Sequence, residues 1–316
     1  MISGWTQPFP IERLLRPDEW SARLNCVQAE GTVPDPNLSL VMHNSTYIEI
    51  VDRNYRLRGM FATTLTVLGS LFLATTGVWA LDMSLSVDSG DIPLITTMTS
   101  LAASIFFGVW LLWHAILSKD FFTSTHYPIR FNRKTRMVHF HMGNKAGVVT
   151  VPWDEGFFHI GRGMRETFLN DIRCHVMDGD VVKQTFAIGH YFDDERVVRA
   201  LWEFIRRYME DGPDATGLPP HRRYIGLSMR PSLYNCYFTV MISASTSPFL
   251  GWALMPLLAP LILCRWLVLN TCSVPRWPEE IERASEIAAD DPHAWPIPER
   301  NGEFIHDMEE PGAKRS

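Results

Sequence analysis

The sequence predicts a membrane α+β protein: a transmembrane helical hairpin followed by an antiparallel β domain that an amphipathic helix closes. Three observations predict it. Two long runs without charge follow one another after residue 58, the residues beyond them alternate between apolar and polar, and the alternation ends in one segment of helical periodicity. The average composition, 46% hydrophobic and 20% charged over 316 residues, hides this division because the apolar residues are clustered. No Lys or Arg occurs between Gly59 and Leu117, and the acids there are Asp82, Asp88 and Asp91.

Residues 1–58, of net charge −1, read as a cytoplasmic N-terminal segment. The spans are residues 59–81, 23 residues long, and 93–117, 25 residues long. At about 1.5 Å per residue, each crosses a hydrocarbon core of about 30 Å. The first run begins too far along the chain for a cleaved signal peptide. The connector 82–92 holds three acids and no base, whereas Arg53, Arg56 and Arg58 precede the first span and Lys119 follows the second. Because positive charge stays inside, both flanks are expected in the cytoplasm. Trp79, Trp110 and Trp113 sit near span ends, as interfacial aromatics do. Ser70 with Ala74, and Ser104 with Gly108, have the spacing that lets helices approach closely. No acid, Lys or Arg lies within either span, which argues against a proton relay or an ion pathway.

A third apolar region, residues 236–270, is too long for one straight span and short for two. Pro248, Pro256 and Pro260 break or kink it. Two readings stay open. One is an interfacial helix to Ser247 and a kinked span from Phe249 to Leu269, with the tail outside. The other is a re-entrant hairpin with the tail inside, which Arg265, Arg276 and Arg283 favour.

Between these regions, residues 118–235 carry net charge +3 and read as one cytoplasmic domain. Met137 to Met142 alternate as a strand does, after a turn at Asn132 to Thr135. Residues 147–153 and 156–160 follow as strands, then a turn at Gly161-Arg162-Gly163. Residues 171–177 and 181–188 flank the hairpin turn Asp178-Gly179-Asp180. Val197, Val198, Leu201, Trp202, Ile205, Tyr208 and Met209 then recur at helical spacing, with Asp193 or Asp194 as N-cap. Arg199, Glu203, Arg206, Arg207 and Glu210 fall largely on the other face, and Gly212-Pro213 ends the helix. Antiparallel strands closed by one helix are the order of a pleckstrin-homology-like (PH-like) domain. The tail, residues 271–316, has net charge −6 and six prolines. Apart from a short helix within Glu279–Ala289, it reads as extended or disordered, either solubilising or open to a basic partner.

The stretch Tyr127-x-Ile129-x-Phe131-Asn132-Arg133-x-Thr135-Arg136-x-Val138 is followed by Val149-x-Val151-Pro152-Trp153-Asp154 and, after the third apolar region, by residues 275–282. With the paired spans, these resemble a family of uncharacterised proteobacterial inner-membrane proteins over about residues 45–295. Members of that family are often encoded with type VI secretion systems. The resemblance therefore implies an immunity or accessory role.

Little in the chain points to chemistry of its own. No phosphate loop, nucleophile elbow or zinc-protease motif is present, so an enzyme is not expected. Cys174 and His175 are strand neighbours facing opposite sides, which disfavours a dyad. Five cysteines without a CxxC pair fit scattered thiols in a reducing compartment. His139 and His141 share one strand face, but local sequence assigns no further ligand, so no metal is expected there. Arg130, Arg133, Lys134 and Arg136 lie shortly after a span and form the candidate contact for anionic lipid, at about 1 kcal/mol each. Trp153 and Asp154 form either a partner-binding corner or a buried Trp beside a turn.

The expectation is a multi-pass bacterial inner-membrane protein whose central domain is cytoplasmic. It is non-enzymatic and without cofactor. Its partners are the lipid bilayer and an unidentified protein, such as a secreted toxin or its secretion machinery, and not nucleic acid. The alternatives are a lipid- or envelope-sensing module and a subunit of a transport assembly.

Overall fold

Residues 9–163, 169–216, 226–244, 251 and 253–302 are described by the computed structural model of the chain. In chain order the strands and helices are β1 (Arg13–Leu14), α1 (Pro17–Ser21), β2 (Leu40–His43), β3 (Tyr47–Ile50), α2 (Phe61–Ser86), α3 (Ile92–Ala115), β4 (Ile129–Asn132), β5 (Met137–His141), β6 (Val148–Pro152), β7 (Phe157–Arg162), β8 (Asn170–Asp178), β9 (Val181–Phe192), α4 (Glu195–Glu210) and α5 (Leu233–Ala244). Two further helices, Met255–Thr271 and Glu279–Ala284, complete the described chain. Its described residues divide into two compact units, one within 57–123 and 240–273, the other within 9–56, 124–239 and 274–302.

The larger unit holds two antiparallel sheets, of order β2-β3-β4-β5-β6 and β1-β9-β8-β7. Their inward residues alternate along each strand, as the pleat requires. Ile48, Phe131, Val138 and Phe140 from one sheet meet Phe158, Ile172 and Ile188 from the other in a single core. Helix α4 enters that core. Trp202 stacks on Trp153 at 5.4 Å and lies 5.1 Å from Phe158, while Leu201, Ile205 and Tyr208 are fully buried. Asp194 caps the helix by accepting from the Arg196 amide. The β strands and α4 therefore stand where alternation and helical spacing put them. One difference is that Gly161 and Arg162 continue β7 rather than turn.

The domain boundaries differ from the expected 118–235. Residues 1–58 do not form a separate segment, because the described part of them supplies β1, α1, β2 and β3. Strand β3 pairs with β4, Ile50 opposite Ile129 and Tyr47 opposite Asn132. The entire α2–α3 segment is thus an insertion between two neighbouring strands. Nor is the polar face of α4 solvated. Glu203 and Arg206 are buried under residues 27–37, which bond to the helix through Asp35 N to Ala200 O and Glu30 N to Glu203 Oε2. The described part of the tail, residues 271–302, is likewise ordered. It runs as a strap along the five-stranded sheet, with Arg276 O at His141, Ala284 O at Asn132, Asp291 at Ser45 and Trp295 stacked on His43. Its last described residue pairs do the same for residues 228–235, where Asn301 Oδ1 accepts from Ser228 N and Asn301 N donates to Asn235. Its short helix ends at Ala284.

In the other unit α2 and α3 run antiparallel. Ser84 meets the Thr99 hydroxyl at 2.7 Å, and Gly77 faces Ile105 and Phe106. The close contact on α3 is Ala102 and Ile105, not Ser104 and Gly108; Ser104 is exposed and the space around Gly108 is open. Gly59 needs to be glycine. Its φ is +69°, and a Cβ there would come within 2.9 Å of the Arg265 backbone. Asp120 closes the base of the hairpin, accepting from the Gly59 amide at 3.1 Å and from the Thr63 hydroxyl. Both helices, with their flanking turns, are long and apolar enough to cross a membrane, at mean hydropathies of 1.6 and 1.8. The third apolar region is α5, of 12 residues, and Met255–Thr271, of 17. Its middle, residues 245–250 and 252, lies outside the described residues. Both flanks of residues 240–273 belong to the larger unit, so this stretch leaves that unit and returns to it.

Candidate functional site

The β4–β5 hairpin does not present its four cations together. Arg130 is buried at 2% exposure, because the outer face of its sheet is covered by the strap. A row across the strands sets Glu49, Arg130, His139 and Thr150 opposite one another. Arg130 donates twice to Glu49 Oε1, at 2.9 and 2.7 Å, and lies over the rings of Tyr47 and Trp277 at 4.2 and 4.6 Å. Trp277 Nε1 donates to the same carboxylate oxygen at 2.9 Å. Arg136 pairs with Asp154 and with Glu210, and these two bonds hold its guanidinium even more firmly protonated than usual. Arg133 is half-buried near Gly212, and Lys134 is exposed.

The histidine pair is also engaged by the strap. His141 Nε2 donates to Arg276 O at 3.0 Å while its Nδ1 accepts from the Gly143 amide at 2.9 Å, so both nitrogens are occupied. His139 bonds the Thr150 hydroxyl at 2.8 Å through Nδ1. Burial, then the charge of Arg130, pulls its pKa down to about 4.

Trp153 and Asp154 part company at the end of β6. Trp153 is fully buried and its indole N–H donates to Glu210 Oε1 at 2.5 Å. Asp154 points outward, and with Arg23, Asn25, Cys26 and Gly156 it lines a groove of about 360 Å³. The Cys26 thiol is pushed up to about 12 by burial and by the charges of Glu210 and Asp154, which leaves it protonated and a poor nucleophile.

A third cluster joins three elements that are far apart in sequence. Glu19 comes from α1, His159 from β7 and His175 from β8, and one ligand atom from each lies within 4.8 Å of the others. The β7–β8 register sets Phe157 opposite His175 and His159 opposite Arg173, so the two histidines are diagonal neighbours on one face, with rings 4.4 Å apart. Helix α1 is seated over them by Leu24 N to Phe158 O at 2.8 Å and Ile160 N to Ala22 O at 3.0 Å. Arg13 holds Glu19 bidentately at 2.6 and 2.8 Å, and the Arg16 amide adds a bond at 3.0 Å. Burial opposes the charge on Glu19, but these bonds overcome it and hold the carboxyl at about 2. Burial pulls both histidines down to about 4. His159 and His175 are visible in the sequence as alternate strand residues. Glu19 carries no local signal, because only the tertiary fold brings α1 to them.

An antiparallel α+β domain with a pair of long apolar helices inserted between adjacent strands defines the class of protein. The profile of one family, described as a family of unknown function (DUF6708), matches residues 107–289, more than half of the chain. The chain belongs to this family. The matched stretch begins within α3 and ends in the strap, so it includes β4–β9, α4 and Trp277 and leaves out β1–β3. Comparison with curated proteins and with solved structures finds no match.

Proposed function

We propose that the chain is an integral membrane protein that holds a PH-like β domain against a bilayer, as a non-enzymatic binder of a protein partner. The observation that carries this reading is the α2–α3 insertion. Two helices of 26 and 24 residues leave the β domain between paired strands, and Leu71, Phe72, Phe107 and Trp110 on them are exposed. In water such faces would be a severe liability, and in hydrocarbon they are ordinary. Arg53, Arg56, Arg58 and Lys119 at the helix ends support a cytoplasmic β domain with the loop Val87–Asp91 outside. The return of residues 240–273 to the larger unit supports the re-entrant reading of the third region, with the tail on the same side as the domain.

The resemblance to inner-membrane proteins encoded with type VI secretion systems supports an immunity or accessory role as the task of this binder. In such a role the domain would intercept a toxin at the membrane where it arrives. Lipid contact by the basic turn is the weaker reading, since Arg130 and Arg136 are spent on ion pairs within the fold.

Two measurements test the proposal in order. Membranes carrying the chain are washed with alkaline carbonate, and the chain stays in the pellet; release into the wash would overturn membrane integration. A toxin encoded beside the gene is then co-expressed with and without the chain, and growth is restored only with it. Unrestored growth, with the chain present in the membrane, would overturn the immunity role.

A further inference from the structure

We propose that Glu19, His159 and His175 form a binding site for one divalent transition-metal ion, zinc(II) by preference, that clips the N-terminal segment onto the β7–β8 hairpin. Two imidazoles and one carboxylate are a donor set that zinc takes readily, with a fourth position left for water. A tetrahedral ion with bonds near 2.0–2.1 Å needs donors about 3.3 Å apart. His175 Nε2 and Glu19 Oε1 already stand 3.3 Å apart, and all three ligand atoms fall within 4.8 Å. Closing on an ion therefore takes small side-chain rotations and no movement of the backbone.

The second observation is that this corner is short of partners. His159 is 1% exposed, yet neither of its ring nitrogens has a hydrogen bond of ordinary geometry; the Ile160 backbone alone draws weakly on the ring. His175 Nε2 is also buried and is not aligned to donate to the Glu19 oxygen beside it. Buried polar atoms are nearly always paired, so one unbonded nitrogen of His159 and the poorly aligned Nε2 of His175, beside a carboxylate, ask for a shared partner. A cation between them satisfies the facing atoms at once.

The surroundings are those of a prepared ligand set. Thr185 Oγ1 lies 2.8 Å from His175 Nδ1, which orients the ring and leaves Nε2 toward the cluster. Arg13 and the Arg16 amide orient the Glu19 carboxylate in the same way, leaving a lone pair of Oε1 for an ion. Phe157, stacked 5.8 Å from His175, walls the site from the side. No fourth protein ligand is near among the described residues, so the fourth position is left to one exchangeable water.

The test uses the full chain, without an affinity tag of histidines, purified in detergent. Zinc content is measured after dialysis against metal-free buffer. Cobalt(II) is titrated separately and displaced with zinc(II). Expected are about one zinc per chain, a cobalt absorption in the visible range that zinc abolishes, and a rise in Tm with zinc. His159→Gln and His175→Gln should lower zinc content at least tenfold, and His139→Gln, outside the cluster, should leave it unchanged. Wild-type chain that gives neither retained zinc nor a zinc-displaceable cobalt band overturns the site, even if the variants fail to fold. Zinc retained undiminished by His159→Gln and His175→Gln overturns it too.

Discussion

At the scale of single residues, the strongest constraint is Arg130. Its guanidinium is buried between two aromatic rings and is neutralised by Glu49, so removing it strands a carboxylate under the strap. Arg130→Met should destabilise the chain by about 3–5 kcal/mol, as breaking a buried pair does. Lys134→Ala, four residues along the same hairpin, should change stability by less than about 0.5 kcal/mol. Denaturant midpoints in detergent measure both, and equal midpoints would refute the difference. Acid sensitivity belongs to the same scale. His139, facing Arg130, Thr150 and Trp277, is held neutral down to about 4 from an ordinary value of 6.5, chiefly by burial. His43, facing His293, Asp291 and Asp214, is held the same way. The unfolded chain takes up these protons near pH 6.5 and the folded chain only near 4, so stability is full above about 6.5 and falls as pH drops between the two. Each histidine should remove on the order of 3 kcal/mol over that window. Melting curves at pH 7.5 and 5 check the slope, and His139→Gln should make it shallower.

At the scale of elements, the strap decides what the sequence could and could not reveal. Period-2 alternation exposed β5 through β9, and helical spacing exposed α4, because each of those has one apolar face toward the core. Strands β2 and β3 escaped because the helical insertion parts them in sequence from β4, the strand that β3 pairs with. His43 and Glu49 look solvated in sequence, yet they are buried beneath Trp295 and Trp277. The strap itself escaped because its composition, acidic and rich in proline, is that of a disordered tail. What holds it is a series of separate bonds to the sheet, which no local pattern encodes. The ion pairs of the basic turn escaped for the same reason, since proximity in sequence does not show that Arg130 faces Glu49 and Arg136 faces Asp154. Trp277→Ala removes both the indole bond to Glu49 and the ring over Arg130, so the strap should loosen. Limited proteolysis should then cut within residues 274–302 at least several-fold faster than in the wild type; an unchanged rate would show that the remaining bonds suffice.

At the scale of the whole molecule, the hairpin is an insertion, and an insertion can be taken out. The Gly59 amide and the Asp120 carboxylate are 3.1 Å apart, so a few residues bridge the base. Replacing residues 61–116 with a short Gly-Ser linker should leave the core of Ile48, Phe131, Trp153 and Trp202 intact, with most of the apolar surface gone. The shortened chain should stay cooperative in thermal unfolding and lose most of its attachment to membranes, residues 240–273 keeping the remainder. A chain that aggregates in the presence of detergent would mean that the β domain depends on the hairpin for its fold.

The same insertion sets a timetable. Strand β3 waits for β4, and Ile50 meets Ile129 only after some eighty further residues have been made. At ordinary rates of synthesis that is an interval of roughly 4–16 s. During it the ribosome releases the two greasiest segments of the chain while the first strands stand with an open edge. On the membrane reading proposed above, the hairpin can enter the bilayer within that interval, before the sheet closes. A domain completed in that order closes already tethered, so that the insertion would couple the making of the sheet to its anchoring.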